Sequence, residues 1–166
     1  MKINKNHVNS DDFAEIKERL FSSYFPYYFQ KGVAGYNDGG SYFTHILIND
    51  DGEIVSDHID ILYKIMKSVK HSAIRTAIIN LYPQTKIIEK HKYHFDLTDY
   101  EDKPHDDLMV GVFYVNTNDG GTEFFGGDVV HSEENKLVLF NNTLLHRSMS
   151  CTNDLCRIVV NINYYE

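Results

Sequence analysis

Beyond Lys70 the chain is cut into short runs of β-branched, aliphatic and aromatic residues by clusters of Asn, Asp and Gly, and this punctuation constrains the fold more than any other feature. The runs are Ala73 to Leu81, Ile87 to Asp96, Met109 to Asn116, Thr122 to Phe125, Asp128 to Val130, Leu137 to Phe140 and Arg157 to Tyr165. Short strands joined by turns predict a sandwich or barrel rather than alternating βα units. Asn118-Asp119-Gly120-Gly121 reads as a hairpin turn.

The period is helical before residue 71. Phe13, Ile16 and Leu20 form one apolar face after Ser10 or Asp11 as a cap; Ile59, Leu62, Tyr63, Ile65, Met66 and Val69 form another, started by Ser56 or Asp57. Between them lie the aromatic run Tyr24 to Phe29, broken by Pro26, a loop from Gly35 to Gly40, and a strand from Tyr42 to Ile48. Helices first and strands second fit a mainly β (α+β) fold: a double-stranded β-helix, or jelly-roll, with the amino-terminal helices packed on its outside. One domain is expected over residues 1–166, helical to about residue 70 and jelly-roll from about 71.

In the last run Ile158, Val160 and Ile162 alternate with Arg157, Val159, Asn161 and Asn163. The first face should pack on the helices. The second is mixed, and polar groups facing the interior of a jelly-roll need partners, so it should line a site.

The candidate chemistry starts at His94-Phe95-Asp96. Residues two apart on a strand share a face, which sets an imidazole beside a carboxylate. With His146 the set becomes two histidines and one carboxylate, the ligand set of non-haem Fe(II) oxygenases, which leaves coordination positions open. Arg157 follows His146 by eleven residues, about a strand end, a turn and the return, and its planar donor fork suits a carboxylate. His105-Asp106-Asp107 is a second His-x-Asp, but it follows Pro104 in the acidic stretch Asp99 to Asp107 and reads as a solvated loop. His91, three before His94, falls on the opposite face of a regular strand and reads as a supporting residue. Arg147 points away from His146 and reads as a surface ion-pair residue.

The blocks Asn80-Leu81-Tyr82-Pro83, His91-Lys92-Tyr93-His94-Phe95-Asp96, Gly111-Val112-Phe113-Tyr114-Val115-Asn116, Gly120-Gly121-Thr122-Glu123-Phe124, Lys136-Leu137-Val138-Leu139-Phe140, Leu144-Leu145-His146 and Arg157-Ile158-Val159-Val160-Asn161 stand in the order seen in one enzyme family. Over its second half the chain resembles the 2-oxoglutarate- and Fe(II)-dependent dioxygenases, in particular small prolyl-4-hydroxylase-like enzymes of the type encoded by marine bacteriophages. The resemblance implies Fe(II) on His94, Asp96 and His146, with 2-oxoglutarate and O2 as co-substrates. It also implies Arg157 on the distal carboxylate of 2-oxoglutarate. Tyr82 sits where related enzymes often place a co-substrate hydrogen bond, although it also reads as an aromatic that closes a strand before Pro83, and Asn80 shares its strand face. The implied reaction couples oxidative decarboxylation of 2-oxoglutarate to hydroxylation of a substrate, with a peptidyl proline as one candidate. Asp96 argues against a halogenase, in which that carboxylate is replaced. Many relatives carry a hydroxyl two residues after the arginine; here the position is Val159, which leaves the arginine as the main anchor.

Two other readings stand beside this one: a cupin-like metal-binding jelly-roll without oxygenase activity, and an interaction module using the aromatic run at Tyr24 to Phe29. The first has no need of Arg157. The second predicts no metal-dependent turnover, and so aromatic a run more often belongs to a core.

A formal net charge of −8 with no Lys/Arg cluster argues against a nucleic-acid backbone as partner and leaves a small molecule or peptide. No apolar run reaches membrane-spanning length, and Met1-Lys2-Ile3-Asn4-Lys5 lacks the apolar core of a signal peptide, so no membrane partner and a cytoplasmic location are expected, in the host's cytoplasm for a phage protein. The two cysteines, Cys151 and Cys156, are then expected as free thiols.

Overall fold

The structure, a computed structural model, describes residues 1–33 and 40–166. Most of the expected loop from Gly35 to Gly40 therefore lies outside the described residues. Among the described residues ten strands form two antiparallel sheets. The larger has the order β1 (Lys2–Asn4), β8 (Lys136–Asn141), β5 (Leu108–Tyr114), β10 (Cys156–Tyr165), β4 (Ala73–Pro83), β3 (Ser41–Ile48) and β2 (Tyr28–Lys31). The smaller has the order β7 (Val129–His131), β6 (Gly121–Phe124) and β9 (His146–Met149). This is the predicted double-stranded β-helix.

Alternation along β10 divides the apolar residues into two cores. Ile158, Val160 and Ile162 join Ala77, Ile79, Phe113 and Leu137 on the outer face of the large sheet, under α1 (Ser10–Leu20) and α2 (Ile59–Met66). Val159 faces inward with Tyr82, Val110, Val112, Tyr114, Val138 and Phe140, meeting Phe124 and Val130 of the small sheet. The helices thus cover one face of the large sheet and leave the other to the small sheet, as the pattern of β10 predicts.

The ends of the elements differ in detail from their sequence signals. Asn9, not Ser10 or Asp11, caps α1: its Oδ1 accepts the Asp12 N–H at 3.1 Å. His58 holds the cap position of α2, and Ser56 acts one step earlier by accepting the His58 N–H at 3.0 Å. α2 ends at Met66, so Val69 lies beyond it, and the buried face includes Ile61 while Tyr63 is exposed. The aromatic run divides: Phe25 is buried, whereas Tyr24, Tyr28 and Phe29 are exposed, the last two on the edge strand β2. The first 70 residues also supply β1 to β3 of the large sheet. β1 and β2 are too short to show a period.

The largest departure is the run from Ile87 to Asp96, which is not a continuous strand. It runs antiparallel to β9 through two isolated bridges, Lys90 with Met149 and His94 with His146. Four residues separate the bridges on one side and three on the other, so this segment carries one extra residue. Such a bulge interrupts a ladder and turns the side chains around it.

Candidate active site

A cavity of about 300 Å³ opens between the sheets. It is lined by His94, Asp96 and His146 on one side and by Arg157, Val159, Asn161 and Asn163 on the other. The mixed face of β10 thus lines a cavity, where its sequence predicts a site.

His146 is the first residue of β9, and the bridge to it holds His94: the His94 N–H donates to the His146 carbonyl at 2.9 Å, and the His146 N–H donates back at 3.2 Å. From this pairing the two imidazoles lie 4.8 Å apart between ring centres. Asp96 Oδ1 stands 3.1 Å from His146 Nε2 and 3.6 Å from His94 Nε2. One ligand atom from each residue can be chosen so that all three lie within 4.8 Å of one another.

Both rings are oriented from behind. Nδ1 of His146 bonds the Leu144 carbonyl at 2.9 Å, and Nδ1 of His94 bonds the Lys92 carbonyl at 3.1 Å. A carbonyl can only accept, so each Nδ1 carries a proton and each Nε2 faces the cavity; in the neutral ring that Nε2 offers the lone pair a metal requires, and in the metal-free site it can instead carry a proton toward Asp96. Phe140 packs against His146 edge to face at 4.9 Å.

The Asp96 side chain is 4 % exposed, and its Oδ2 has no hydrogen-bond partner among the described residues. Burial opposes its charge, but the imidazoles of His146 and His94 outweigh burial and hold the carboxyl well below the usual carboxylate range. The carboxylate is therefore ionised and keeps one oxygen unused. Asn142, fully buried, fixes the loop beneath it: its Oδ1 accepts the N–H groups of Asp96 and Leu97 at 3.1 and 3.3 Å, and its Nδ2 donates to the carbonyls of Leu97 and His105. Asn142 was not legible as a site residue. In the sequence it belongs to an Asn-Asn-Thr turn signal, and its reach to Asp96 is tertiary.

Arg157 is 1 % exposed, the largest fully buried side chain among the described residues. Its Nε and Nη1 have no hydrogen-bond partner among the described residues, and Nη2 stands 3.5 Å from Thr122 Oγ1. Tyr82 and Tyr114 flank the guanidinium, with ring centres 5.2 and 5.5 Å from Cζ. Burial raises the pKa of both phenols, against the pull of Arg157, so both remain protonated donors. Aromatic faces offset only part of the desolvation of a cation, which stays at several kcal/mol in a protein interior. A guanidinium held this way calls for an anion. Tyr82 and Asn80, opposite Arg157 and Val159 in the register with β4, both line the cavity. Thr122 and Ser148 border it without a distinct sequence signal, although Ser148 could have been found from its two-residue spacing to His146 on β9.

The remaining candidates fall into place. His105 and Asp107 are exposed and stand apart from the histidine–aspartate cluster. His91 is corrected. Its ring stacks on Tyr82 at 5.6 Å and its Nδ1 meets Ser148 Oγ at 2.6 Å, so it turns to the same side as His94. The bulge supplies the reason, since one extra residue between Lys90 and His94 breaks the two-residue period. Arg147 does form an ion pair, with its Nη2 2.8 Å from the buried carboxylate of Glu123, and it also covers the ring of Tyr93.

Gly120 explains how Arg157 gets its space. A Cβ there would lie 2.5 Å from the Ser150 carbonyl oxygen, 3.0 Å from Asn118 Oδ1 and 3.0 Å from Arg157 Cδ. Gly120→Ala is therefore expected to lower stability by about 1–3 kcal/mol as an overpacking change. It should also displace Arg157. Urea unfolding measures the first effect and 2-oxoglutarate titration the second; an alanine variant equal to wild type in both would show that the turn relaxes without touching the arginine.

No family model matches the sequence, and no curated protein matches it. Solved structures do. A prolyl-4-hydroxylase from Pseudomonas putida superposes with a TM-score of 0.64 at 13 % identity, covering 99 % of this chain and 91 % of that one. A prolyl hydroxylase from Trichoplax adhaerens, in complex with a peptide fragment of the hypoxia inducible factor oxygen degradation domain, gives 0.68 at 15 %, covering 99 % and 82 %. A viral collagen prolyl hydroxylase from Paramecium Bursaria Chlorella virus-1, in complex with 2-oxoglutarate, gives 0.61 at 12 %, covering 98 % and 93 %. In fold, over nearly its whole length, the chain is similar to 2-oxoglutarate- and Fe(II)-dependent oxygenases of the prolyl-hydroxylase type.

Proposed function

We propose that the protein is a 2-oxoglutarate- and Fe(II)-dependent dioxygenase that hydroxylates a small-molecule or peptide substrate. The observation that carries this reading is one cavity with two unmet demands on its walls. A cluster of two histidines and a carboxylate stands on one side with an unpartnered Asp96 Oδ2, and a buried arginine with two unpartnered nitrogens stands on the other.

The donor set fits the ion. His94, Asp96 and His146 would hold Fe(II) through two neutral imidazoles and one carboxylate, and three protein ligands leave positions open. When bound, Fe(II) with 2-oxoglutarate and O2 supplies the oxidant that converts a substrate C–H to C–OH, with succinate and CO2 as the other products. The chain's own part is binding and orientation. Arg157 would hold the distal carboxylate through charge-assisted bonds, and Tyr82 would add a phenol donor beside it. The Leu144 and Lys92 carbonyls keep both neutral imidazoles in the metal-ready tautomer.

A metal-binding jelly-roll without oxygenase activity is the second reading. It would leave the guanidinium of Arg157 buried with no anion, and for that reason the oxygenase is preferred. Succinate release separates them. Protein with Fe(II), 2-oxoglutarate and O2 should form succinate slowly alone and faster with a competent substrate from a panel of peptides and metabolites. Metal binding with no 2-oxoglutarate consumption would support the second reading.

Among the described residues no helix is long and apolar enough to cross a membrane. We place the protein in the cytoplasm. Cys151 and Cys156 are free, and burial raises both thiols, Cys156 to about 11, so both are protonated and slow to oxidise near neutral pH. Thiol counting after alkylation at lysis should find two sulfhydryls. A mass lighter by two hydrogens would contradict this.

A further inference from the structure

The cavity has an end that neither the metal cluster nor Arg157 accounts for. On β10 the inner face continues from Arg157 through Val159 to Asn161 and Asn163, and on β4 the residues opposite are Tyr82, Asn80, Ile78 and Thr76. β9 leads away from His146, the chain turns, and β10 returns from Arg157. Moving along β10 from Arg157 therefore carries the wall back toward the level of His146. Six residues at roughly 3.3 Å each separate Asn163 from Arg157 by about 20 Å, so the two serve different parts of the cavity.

That wall presents acceptors without donors. Asn163 is 5 % exposed; its Nδ2 donates to Thr76 Oγ1 at 3.1 Å, and its Oδ1 has no partner among the described residues. Asn161 Oδ1 is unpartnered in the same way. Buried carbonyl oxygens left this way are rare in folded proteins, and two on alternate residues of one strand, both residues lining a cavity, point to a ligand that donates once the amides turn toward it. Asp50 adds a negative charge at the rim: it follows β3, whose Ile48 pairs with Ala77, the neighbour of Thr76. Arg157, at the other end, is the sole Lys or Arg among the described residues lining the cavity. Ile78, between Asn80 and Thr76, offers an apolar strip to a methylene chain.

We propose that Asn161, Asn163 and Asp50 form the substrate-recognition wall of the cavity and select a cationic, N–H-rich group, an amine or guanidine carried on a short alkyl chain. The identification of this group as the substrate of hydroxylation rests on the oxygenase reading; the binding itself does not. The cavity is then divided by charge, with a cation at Arg157 for a carboxylate and acceptors at Asn161 and Asn163 for a cation.

The test uses three probes of similar length, 1,5-diaminopentane, agmatine and 1,5-pentanediol, titrated by calorimetry into the full chain. Each titration is made on the metal-free protein and on protein loaded with Zn(II) and 2-oxoglutarate. The two amines should bind at least about tenfold more tightly than the diol. Asn161→Leu, Asn163→Leu and Asp50→Asn should each weaken amine binding by about tenfold, the loss of one charge-assisted contact. Binding of 2-oxoglutarate should be unchanged in all three. Asn161→Leu should also melt no lower than wild type, because it removes a buried acceptor that has no partner; a purely structural asparagine would give the opposite. The proposal is overturned if the diol binds as tightly as the amines. It is equally overturned if the three variants keep wild-type amine affinity, and Asp50→Asn, at an exposed position, guards against a folding failure in the other two. Failure of the wild type to bind 2-oxoglutarate would remove the oxygenase reading alone, since the metal-free titration still decides the amine site.

Discussion

Asp96→Ala is expected to lose its bound metal and, with it, all metal-dependent turnover. Asp96 supplies the one negative charge of the cluster, and its Oδ1 is within 3.6 Å of both Nε2 atoms. Without it two neutral imidazoles remain, too few donors for a divalent ion in a partly buried site. Removing even an outer partner of a metal ligand weakens binding by about 10–100-fold, so removing a ligand should exceed about 100-fold. His94→Ala and His146→Ala should behave alike, whereas His105→Ala should keep its metal because that residue is exposed and outside the cluster. Metal content after iron loading and gel filtration measures the effect, and circular dichroism shows that the variants remain folded. Equal stoichiometry in the folded Asp96, His94 and His146 variants would remove the metal centre from this cavity.

Much of this candidate cluster was legible because its residues obey local periods. His94 and Asp96 are two apart and reach the same cluster, and Arg157 opens an alternation whose two faces separate as the pattern of Ile158, Val160 and Ile162 predicts. The two-sheet architecture followed from strand length and turn chemistry in the same way. What escaped was set by tertiary contact. The segment from Ile87 to Asp96 has the composition of a strand, but its bridges to β9 are out of step by one residue, and nothing in composition encodes a bulge. For that reason the side of His91 was misread. Asn142 shares its sequence signature with any turn asparagine, and only its bonds to Asp96, Leu97 and His105 reveal its work. Asn161 and Asn163 were placed on the site face by alternation; the missing donors on their oxygens required the packed structure.

Arg157→Ala is expected to weaken 2-oxoglutarate binding by roughly one to two orders of magnitude while leaving iron affinity nearly unchanged. The guanidinium is buried between Tyr82 and Tyr114 with Nε and Nη1 unpartnered, so a carboxylate there would gain charge-assisted bonds worth roughly 1.5–3 kcal/mol, at about 1.4 kcal/mol per tenfold. Val159, two residues on, offers no hydroxyl to share that load. Arg157→Lys should recover only part of the affinity, because an ammonium lacks the planar fork that matches two carboxylate oxygens. Stability gives a second readout. A ligand that binds only the folded state at 100 times its Kd stabilises by about 2.7 kcal/mol, so 2-oxoglutarate should raise the melting temperature of the wild type clearly and that of Arg157→Ala hardly at all. Anaerobic titration of the Fe(II) protein, followed by the metal-to-ligand charge-transfer band, measures affinity directly. If Arg157→Ala binds 2-oxoglutarate as tightly as the wild type, the buried guanidinium serves some other anion, and the cavity loses the feature that distinguishes it from a plain metal-binding jelly-roll.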